Sequence, residues 1–388
     1  LRPKANLAKI FAADFVLRFS YQMGKSPLLP LFAAALGATE ILTGLIVAVS
    51  PFTGVLLKPF FGMLSDRSGR RIWLLISLII FLVTPFLYQF ISTPEALFAL
   101  RLFHGFATAI FGPVSLAYVA ELADENRATR LAIFGMARAL AAFGAPLCAG
   151  FALTYFKPEK VFVLIGFMSL AAAVPLIMLH ENNVLAAKKK QSFSFHALAS
   201  IRLSLQTTGI WLAGFLEFLV FLVAYAVKAF LPFFIMSQEG GTVLQAGIFF
   251  SIQEGVHIIF RPIGGRVADK KGYGVALFLG LIMLAVGLAT LPLMAELMIL
   301  SAAIILGFAQ AMVLPASVAL LAAETQTGHR GAGMGFYGAL RNMGKVGGPV
   351  ITGALLTAFT FSSVFYGYAV LVAFVAIAVR MRLKYPTI

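Results

Sequence analysis

Acidic residues are scarce in this chain: 15 Asp and Glu in 388 positions, against 30 Lys and Arg. Charged residues of either sign reach only 12%, and 61% of positions are hydrophobic. Soluble domains carry about 25% charged residues, and a water-soluble fold of this composition would expose far more apolar surface than such folds tolerate. Cysteine is nearly absent. Cys148 stands alone within an apolar run, which excludes a disulfide framework and a cysteine-based metal site. Glu254 with His257 supplies two potential metal ligands, too few for a site, so no metal is expected. Nucleotide loops and hydrolytic triads are missing too. No catalytic residues are therefore assigned, and a membrane-embedded enzyme is disfavoured. A receptor would not need titratable groups buried on several helices.

What the chain has is apolar length. Runs of about 20 residues recur from end to end, the length that crosses a bilayer as a helix. Twelve spans are expected, at roughly 7–36, 40–62, 72–92, 96–121, 130–156, 160–180, 207–236, 243–267, 274–295, 297–323, 331–359 and 362–383. The first run lacks the short apolar core and cleavage site of a removable signal peptide. Placing both termini in the cytoplasm puts most loop lysines and arginines inside, among them Arg67, Arg70, Arg71, Lys188, Lys189 and Lys190, while Lys157 and Lys160 face out. That asymmetry sets topology. The net charge of +15 thus orients a multi-pass protein in the cell (inner) membrane, with the lipid bilayer, anionic lipid included, as partner. Nucleic acid is not an expected partner.

The chain also repeats. Lys58-Pro59-x-x-Gly62-x-x-x-Asp66-x-x-Gly69 returns 203 residues later as Arg261-Pro262-x-x-Gly265-x-x-x-Asp269-x-x-Gly272. The same offset carries Arg127, Gly135, Arg138, Gly144, Pro146 and Gly150 onto Arg330, Gly338, Arg341, Gly347, Pro349 and Gly353, and Glu121 onto Glu324. Pro30 maps onto Pro232 at an offset of 202. Two parallel six-helix halves related by an axis along the membrane normal fit such a repeat. The expected fold is an all-α membrane protein of twelve transmembrane helices in two pseudo-symmetric halves, 1–180 and 207–388, joined by a polar cytoplasmic linker at 181–206.

The loop Gly62-Met-Leu-Ser-Asp66-Arg67-Ser-Gly69-Arg70-Arg71 resembles the loop 2–3 signature of the major facilitator superfamily, and the resemblance extends over nearly the whole chain. Pro27-Leu-Leu-Pro30 is similar to a proline motif of the twelve-span drug/proton antiporters; a simple kink near a helix end explains it equally. Arg101-x-x-x-Gly105-x-Ala107 looks like the span-4 arginine motif of proton-coupled members, where the arginine is thought to influence a proton-carrying carboxylate. The alternative is an arginine snorkelling outward. The antiporter signature Gly-x-x-x-Gly-Pro-x-x-Gly-Gly has a partial match at Ala141-x-x-x-Ala145-Pro146-x-x-Ala149-Gly150 and a better one at Gly344-x-x-x-Gly348-Pro349-x-x-Thr352-Gly353. Small residues four apart also serve close helix packing without any transport role. The resemblance implies alternating access and a gating motif made of Gly62, Asp66, Gly69, Arg70 and Glu121, with Gly265, Asp269 and Glu324 as the second copy. Asp66 is expected to pair with Arg70 or with the start of span 11, and Asp269 with the start of span 5. A small-molecule substrate, no cofactor, a proton gradient as energy source and a functional monomer follow from the same likeness.

Charges inside the spans are costly unless partnered or facing a cavity, and mark function. Three acids lie well inside: Asp14, Glu217 and Glu254. Asp14 and Arg18 are four apart on one helix face, which Tyr21 and Gln22 continue. Glu217, Phe221, Tyr225 and Lys228 line a face of span 7; Glu254, His257 and Arg261 line one of span 8. Glu217 lies about ten residues into its span, roughly 15 Å along the helix, and ranks first as proton carrier. Glu254 with His257 ranks second, and Asp14, beside Arg18, third. Arg101 belongs to the same proton-coupling set. For Glu217 the alternative is a structural ion pair with a basic residue of another helix. The excess of buried positive charge suits an anionic or zwitterionic group, so Arg18, Arg138 and Arg341, with Tyr21, Gln22, Phe221 and Tyr225, are expected around the substrate. The expected function is proton-coupled export of amphipathic organic compounds, anionic ones included. The alternatives are uptake or facilitated transport of a small organic anion or sugar, and flipping or export of an anionic lipid-like substrate.

Overall fold

Helix starts and turns are written locally. Thr39 Oγ1 accepts from Leu42 N at 3.3 Å and Thr93 Oγ1 from Ala96 N at 3.3 Å, each supplying a partner to an orphan N–H of a first turn. Thr242 and Gln245 cap each other reciprocally, Thr242 N to Oε1 at 2.8 Å and Gln245 N to Oγ1 at 3.3 Å, a capping box. Gly69 (φ 94°) and Gly272 (φ 87°) turn the chain in the left-handed region between successive helices, a conformation that side-chain-bearing residues adopt at a cost. These are the two repeat-related glycines of the loop motif.

The computed structural model describes residues 2–122, 127–180, 207–293, 296–324 and 330–384. The linker expected at 181–206 lies outside them, as do the side chains of Arg127 and Arg330. The helices are α1 (Arg2–Met23), α2 (Leu28–Ala35), α3 (Glu40–Ser68), α4 (Arg70–Leu87), α5 (Pro94–Leu122), α6 (Arg127–Tyr155), α7 (Pro158–Leu170), α8 (Ala173–Ile177), α9 (Thr208–Ser237), α10 (Val243–Lys271), α11 (Tyr273–Thr290), α12 (Glu296–Glu324), α13 (Arg330–Leu356) and α14 (Phe361–Lys384). Short 3₁₀ turns, Tyr88–Phe90 and Leu291–Leu293, end α4 and α11. No strand occurs among the described residues.

Nine of the described helices are long and apolar enough to cross a membrane: α3 to α6, α9 to α12 and α14. The three remaining expected spans fall on α1 with α2, on α7 with α8, and on α13. Charge explains two of them: α1 carries Asp14 and Arg18, and α13 carries Arg341 and Lys345. The sequence expects one continuous helix for span 1 and one for span 6; each is instead two helices. Span 1 breaks over Gly24–Pro27, where Pro27 offers no N–H to the ladder. Span 6 breaks at Ala171–Ala172.

Contacts gather the chain into two compact units, Leu1–Lys190 with Lys228–Ile248, and Gln191–Val227 with Phe249–Ile388. The first unit holds two apolar clusters. One centres on Phe81, Phe111, Tyr118 and Phe134, the other on Phe32, Tyr88 and Phe162. Tyr88 and Phe162 stack with centroids 3.8 Å apart. In the second unit, α11 packs against α12 and α14, and its face of Leu277, Leu281, Leu284 and Leu288 is buried. The α13 glycines Gly344 and Gly348 bring its backbone onto α9: a Cβ at either would collide with the carbonyl of Phe218 or Leu222. Large apolar side chains point outward, such as Ile79, Phe167, Val370 and Phe374, each at least 60% exposed, as a bilayer requires and water does not permit at this density.

Candidate functional site

Each unit buries one acid at the same repeat position. Asp14 on α1 and Glu217 on α9 are 203 residues apart, and both are almost wholly enclosed, at 0% and 2% exposure. Neither carboxylate is solvated, so each needs partners from the protein.

In the first unit the partners are guanidinium groups. Arg138 of α6 grips Asp14 with two hydrogen bonds, Nε to Oδ2 and Nη2 to Oδ1, both at 3.1 Å. Ser115 of α5 donates to Oδ1 at 3.4 Å and accepts from Arg138 Nη2 at 3.0 Å. Arg18 adds a longer contact, Nε to Oδ1 at 3.4 Å. Arg138 also covers the Phe134 ring at 4.2 Å. A two-pronged guanidinium–carboxylate pair is among the strongest polar contacts available. The acid is thus locked chiefly by Arg138, not by Arg18 as the spacing along α1 suggests.

In the second unit the partners are hydroxyls. Tyr337 of α13 donates to Glu217 Oε1, and Ser317 of α12 donates to the same oxygen at 3.2 Å. The two hydroxyls lie 3.0 Å apart. Glu217 Oε2 is buried with no hydrogen-bond partner among the described residues, and so is Arg341 Nε. Arg341 and Lys345 act on Glu217 through their charges, and both stand over Phe221, at 5.9 and 4.7 Å from its centroid. Lys345 lies 5.9 Å from Tyr225. Phe221 occupies the repeat position of Arg18, Tyr337 that of Phe134, Arg341 that of Arg138, and Ser317 follows Ser115 at an offset of 202.

These two constellations bring together Asp14, Arg18 and Arg138 in one unit and Glu217, Phe221, Tyr225 and Arg341 in the other. Sequence reasoning missed Ser115, Ser317, Phe134 and Tyr337. The repeat offset pairs them with one another but does not mark them as partners of the acids. Tyr21 is buried and bonds Ser50 of α3, while Gln22 on the same helix is partly buried. Glu254 meets His257, Oε2 to Nδ1 at 3.4 Å. Arg261, at the end of that face, is exposed. Arg101 does not snorkel: it is 1% exposed and bonds Tyr88 OH at 3.4 Å.

The gating motif differs sharply between its two copies. Arg70 is buried and held by Asp66, by Glu121 Oε1 at 2.9 Å and by Ser65 Oγ at 2.6 Å, with the Gly62 carbonyl at 3.5 Å. In the second copy Tyr273 takes the place of Arg70 and Ala268 that of Ser65. Asp269 and Glu324 are exposed, and Glu324 lies against Gly209. Gly62 and Gly265 both border open space.

A sequence profile described as the Major Facilitator Superfamily matches residues 10–300 and 218–387. The chain is 24% identical to the multidrug resistance protein MdtG of Klebsiella pneumoniae, over 99% of this chain and 94% of that one. It is 24% identical to the multi-drug resistance efflux pump PmrA of Streptococcus pneumoniae, over 90% and 88%. Identity to an uncharacterised MFS-type transporter of Methanocaldococcus jannaschii is 22%, over 92% and 93%. Among solved structures, the nucleoside transporter NupG superposes with a TM-score of 0.81 at 16% identity, over 98% of this chain and 99% of that one. A bacterial homologue of the lysosomal transporter Spinster gives 0.76 at 16%, over 99% and 98%.

Proposed function

The chain belongs to the major facilitator superfamily, and from that premise we propose that it is a proton-coupled exporter of amphipathic organic compounds. Family membership makes it a multi-pass membrane transporter and not an enzyme. Export is supported by relatives named as multidrug resistance proteins. Protons serve as the energy source, no cofactor takes part, and one chain is the working unit. The mechanism is alternating access, with substrate and proton exchanged in turn with the two sides.

The observation that carries proton coupling is the contrast between the two buried acids. Asp14 is clamped by a guanidinium fork on both of its oxygens. Glu217 is held by two hydroxyls on one oxygen only, and its other oxygen is unpaired. A hydroxyl serves either protonation state, because it donates to a carboxylate and accepts from a carboxylic acid. Arg341 and Lys345 are near enough to balance the ionised form. Glu217 can therefore gain and lose a proton without dismantling the site. Glu254 with His257 forms a second, looser acid–base pair on α10.

The test is Glu217→Gln, which keeps shape and hydrogen bonding but cannot titrate. In proteoliposomes with an imposed pH gradient, dye efflux should vanish while substrate counterflow persists. A glutamine variant that still follows the pH gradient removes Glu217 as carrier. Running organic anions and sugars in the same assay separates export of amphipaths from the rival uptake reading, which the excess of buried cations favours.

A further inference from the structure

In the first unit, cations gather where no acid answers them. Arg101 on α5 is 1% exposed. It bonds Tyr88, Nη1 to OH at 3.4 Å, and also interacts with the Tyr21 hydroxyl, while its Nε is buried with no partner among the described residues. One turn on, His104 is 3% exposed. Its Nδ1 faces the same Tyr88 hydroxyl at 3.1 Å, and its Nε2 is also buried and unpartnered. Lys25, in the break between α1 and α2, stands 4.6 Å from the Tyr21 ring centroid, and Arg101 stands 5.6 Å from the same ring. The two charges are therefore within about 10 Å of each other. Among the described residues, neither Lys25 nor Arg101 is in an ion pair with a carboxylate. The charges acting on Lys25 are Lys228, Arg101, Arg18 and Lys58, every one of them positive.

A buried guanidinium beside a second cation, lacking an opposite charge, is strongly unfavourable. The face of Tyr21, through cation–π attraction, and the hydroxyl of Tyr88, through a hydrogen bond, offset only part of that. Unused donors on Arg101 and His104 leave the cluster short of an acceptor rather than a donor. We propose that Lys25, Arg101 and His104 bind a monovalent anionic group beside Tyr21, supplied either by a free halide or by the carboxylate of an organic acid. Charge-assisted bonds from an ammonium and a guanidinium suit either source. The proposal does not depend on proton coupling or on the direction of transport, because it is read by equilibrium binding alone.

The purified full chain in detergent is titrated with chloride and followed by ³⁵Cl line broadening, at constant ionic strength set with sulfate, which is neither a halide nor a carboxylate. Saturable broadening is expected for the wild type. Lys25→Gln and Arg101→Gln should each abolish it, with helical content checked by circular dichroism. Benzoate is then added, with benzyl alcohol as its neutral match. Loss of broadening with benzoate but not with benzyl alcohol supports the carboxylate source. Broadening indifferent to both supports the free halide. Wild-type protein that broadens chloride no more than sulfate-matched empty micelles overturns the proposal, whatever the variants do. Broadening that survives both substitutions in folded protein overturns it as well.

Discussion

A single oxygen atom separates Phe134 from its repeat partner Tyr337, and with the exchange of Arg18 for Phe221 it accompanies a different hold on each buried acid. With no hydroxyl at 134, Asp14 takes its bonds from Arg138 and Ser115. With a hydroxyl at 337, Glu217 needs no guanidinium, and Arg341 keeps an unpaired Nε. Tyr337→Phe should leave Ser317 as the remaining donor and slow gradient-driven transport well before it affects counterflow, measured in the same liposomes. Asp14→Asn should act on stability instead. It strips Arg138 of its counter-charge and is expected to cost about 3 kcal/mol, the low end for a broken buried pair, since Arg138 is partly exposed. Thermal unfolding in detergent reads this, and adding Arg138→Gln to Asp14→Asn should recover part of the loss. The acids were legible in the sequence because so few exist and because they interrupt apolar runs. Their partners were not, since Ser115, Ser317 and Phe134 are unremarkable residue types on helices far away along the chain. Only folding brings α1, α5 and α6 to one point.

At the scale of the element, helix identity was legible and helix continuity was not. Apolar composition resumes at Leu28–Ala35 so soon after α1 that, despite Lys25 and Ser26, the turn at Gly24–Pro27 read as a kink at most. The break at Ala171–Ala172 falls on residues of high helix propensity, but Pro175 marks it: four residues on, it offers no N–H to the Ala171 carbonyl. Small-residue spacing on α13 was legible, and the structure gives it a partner in α9. Gly348→Ala should lower the unfolding temperature, because its methyl meets the Leu222 carbonyl. Gly335→Ala on the same helix enters open space and should be neutral or stabilising by up to about 1 kcal/mol through helix propensity. The loop between α3 and α4 makes a separate prediction. Asp66 is exposed while Glu121 and Ser65 hold Arg70 from the buried side. Asp66→Asn should therefore slow transport while leaving membrane insertion and expression normal; unchanged transport at normal expression would remove the gating role.

For the molecule as a whole, the basic loops set an orientation that labelling can read. In a Cys148→Ser background, Lys157→Cys should react with an impermeant maleimide applied to intact cells, and Ser68→Cys only after permeabilisation. The reverse pattern would invert the topology. The repeat itself was visible as an offset between loop motifs, but the inequality of its two acids was not, because a sequence match scores Phe134 against Tyr337 as a small difference. That inequality makes the halves non-interchangeable parts. Asp14 is riveted by a guanidinium fork, and Glu217 rests on two hydroxyls. Under the proposed proton coupling, a tandem of two copies of the first half would inherit two rivets and should carry nothing against a gradient, and Phe134→Tyr in its second copy is the smallest change that supplies the missing hydroxyl.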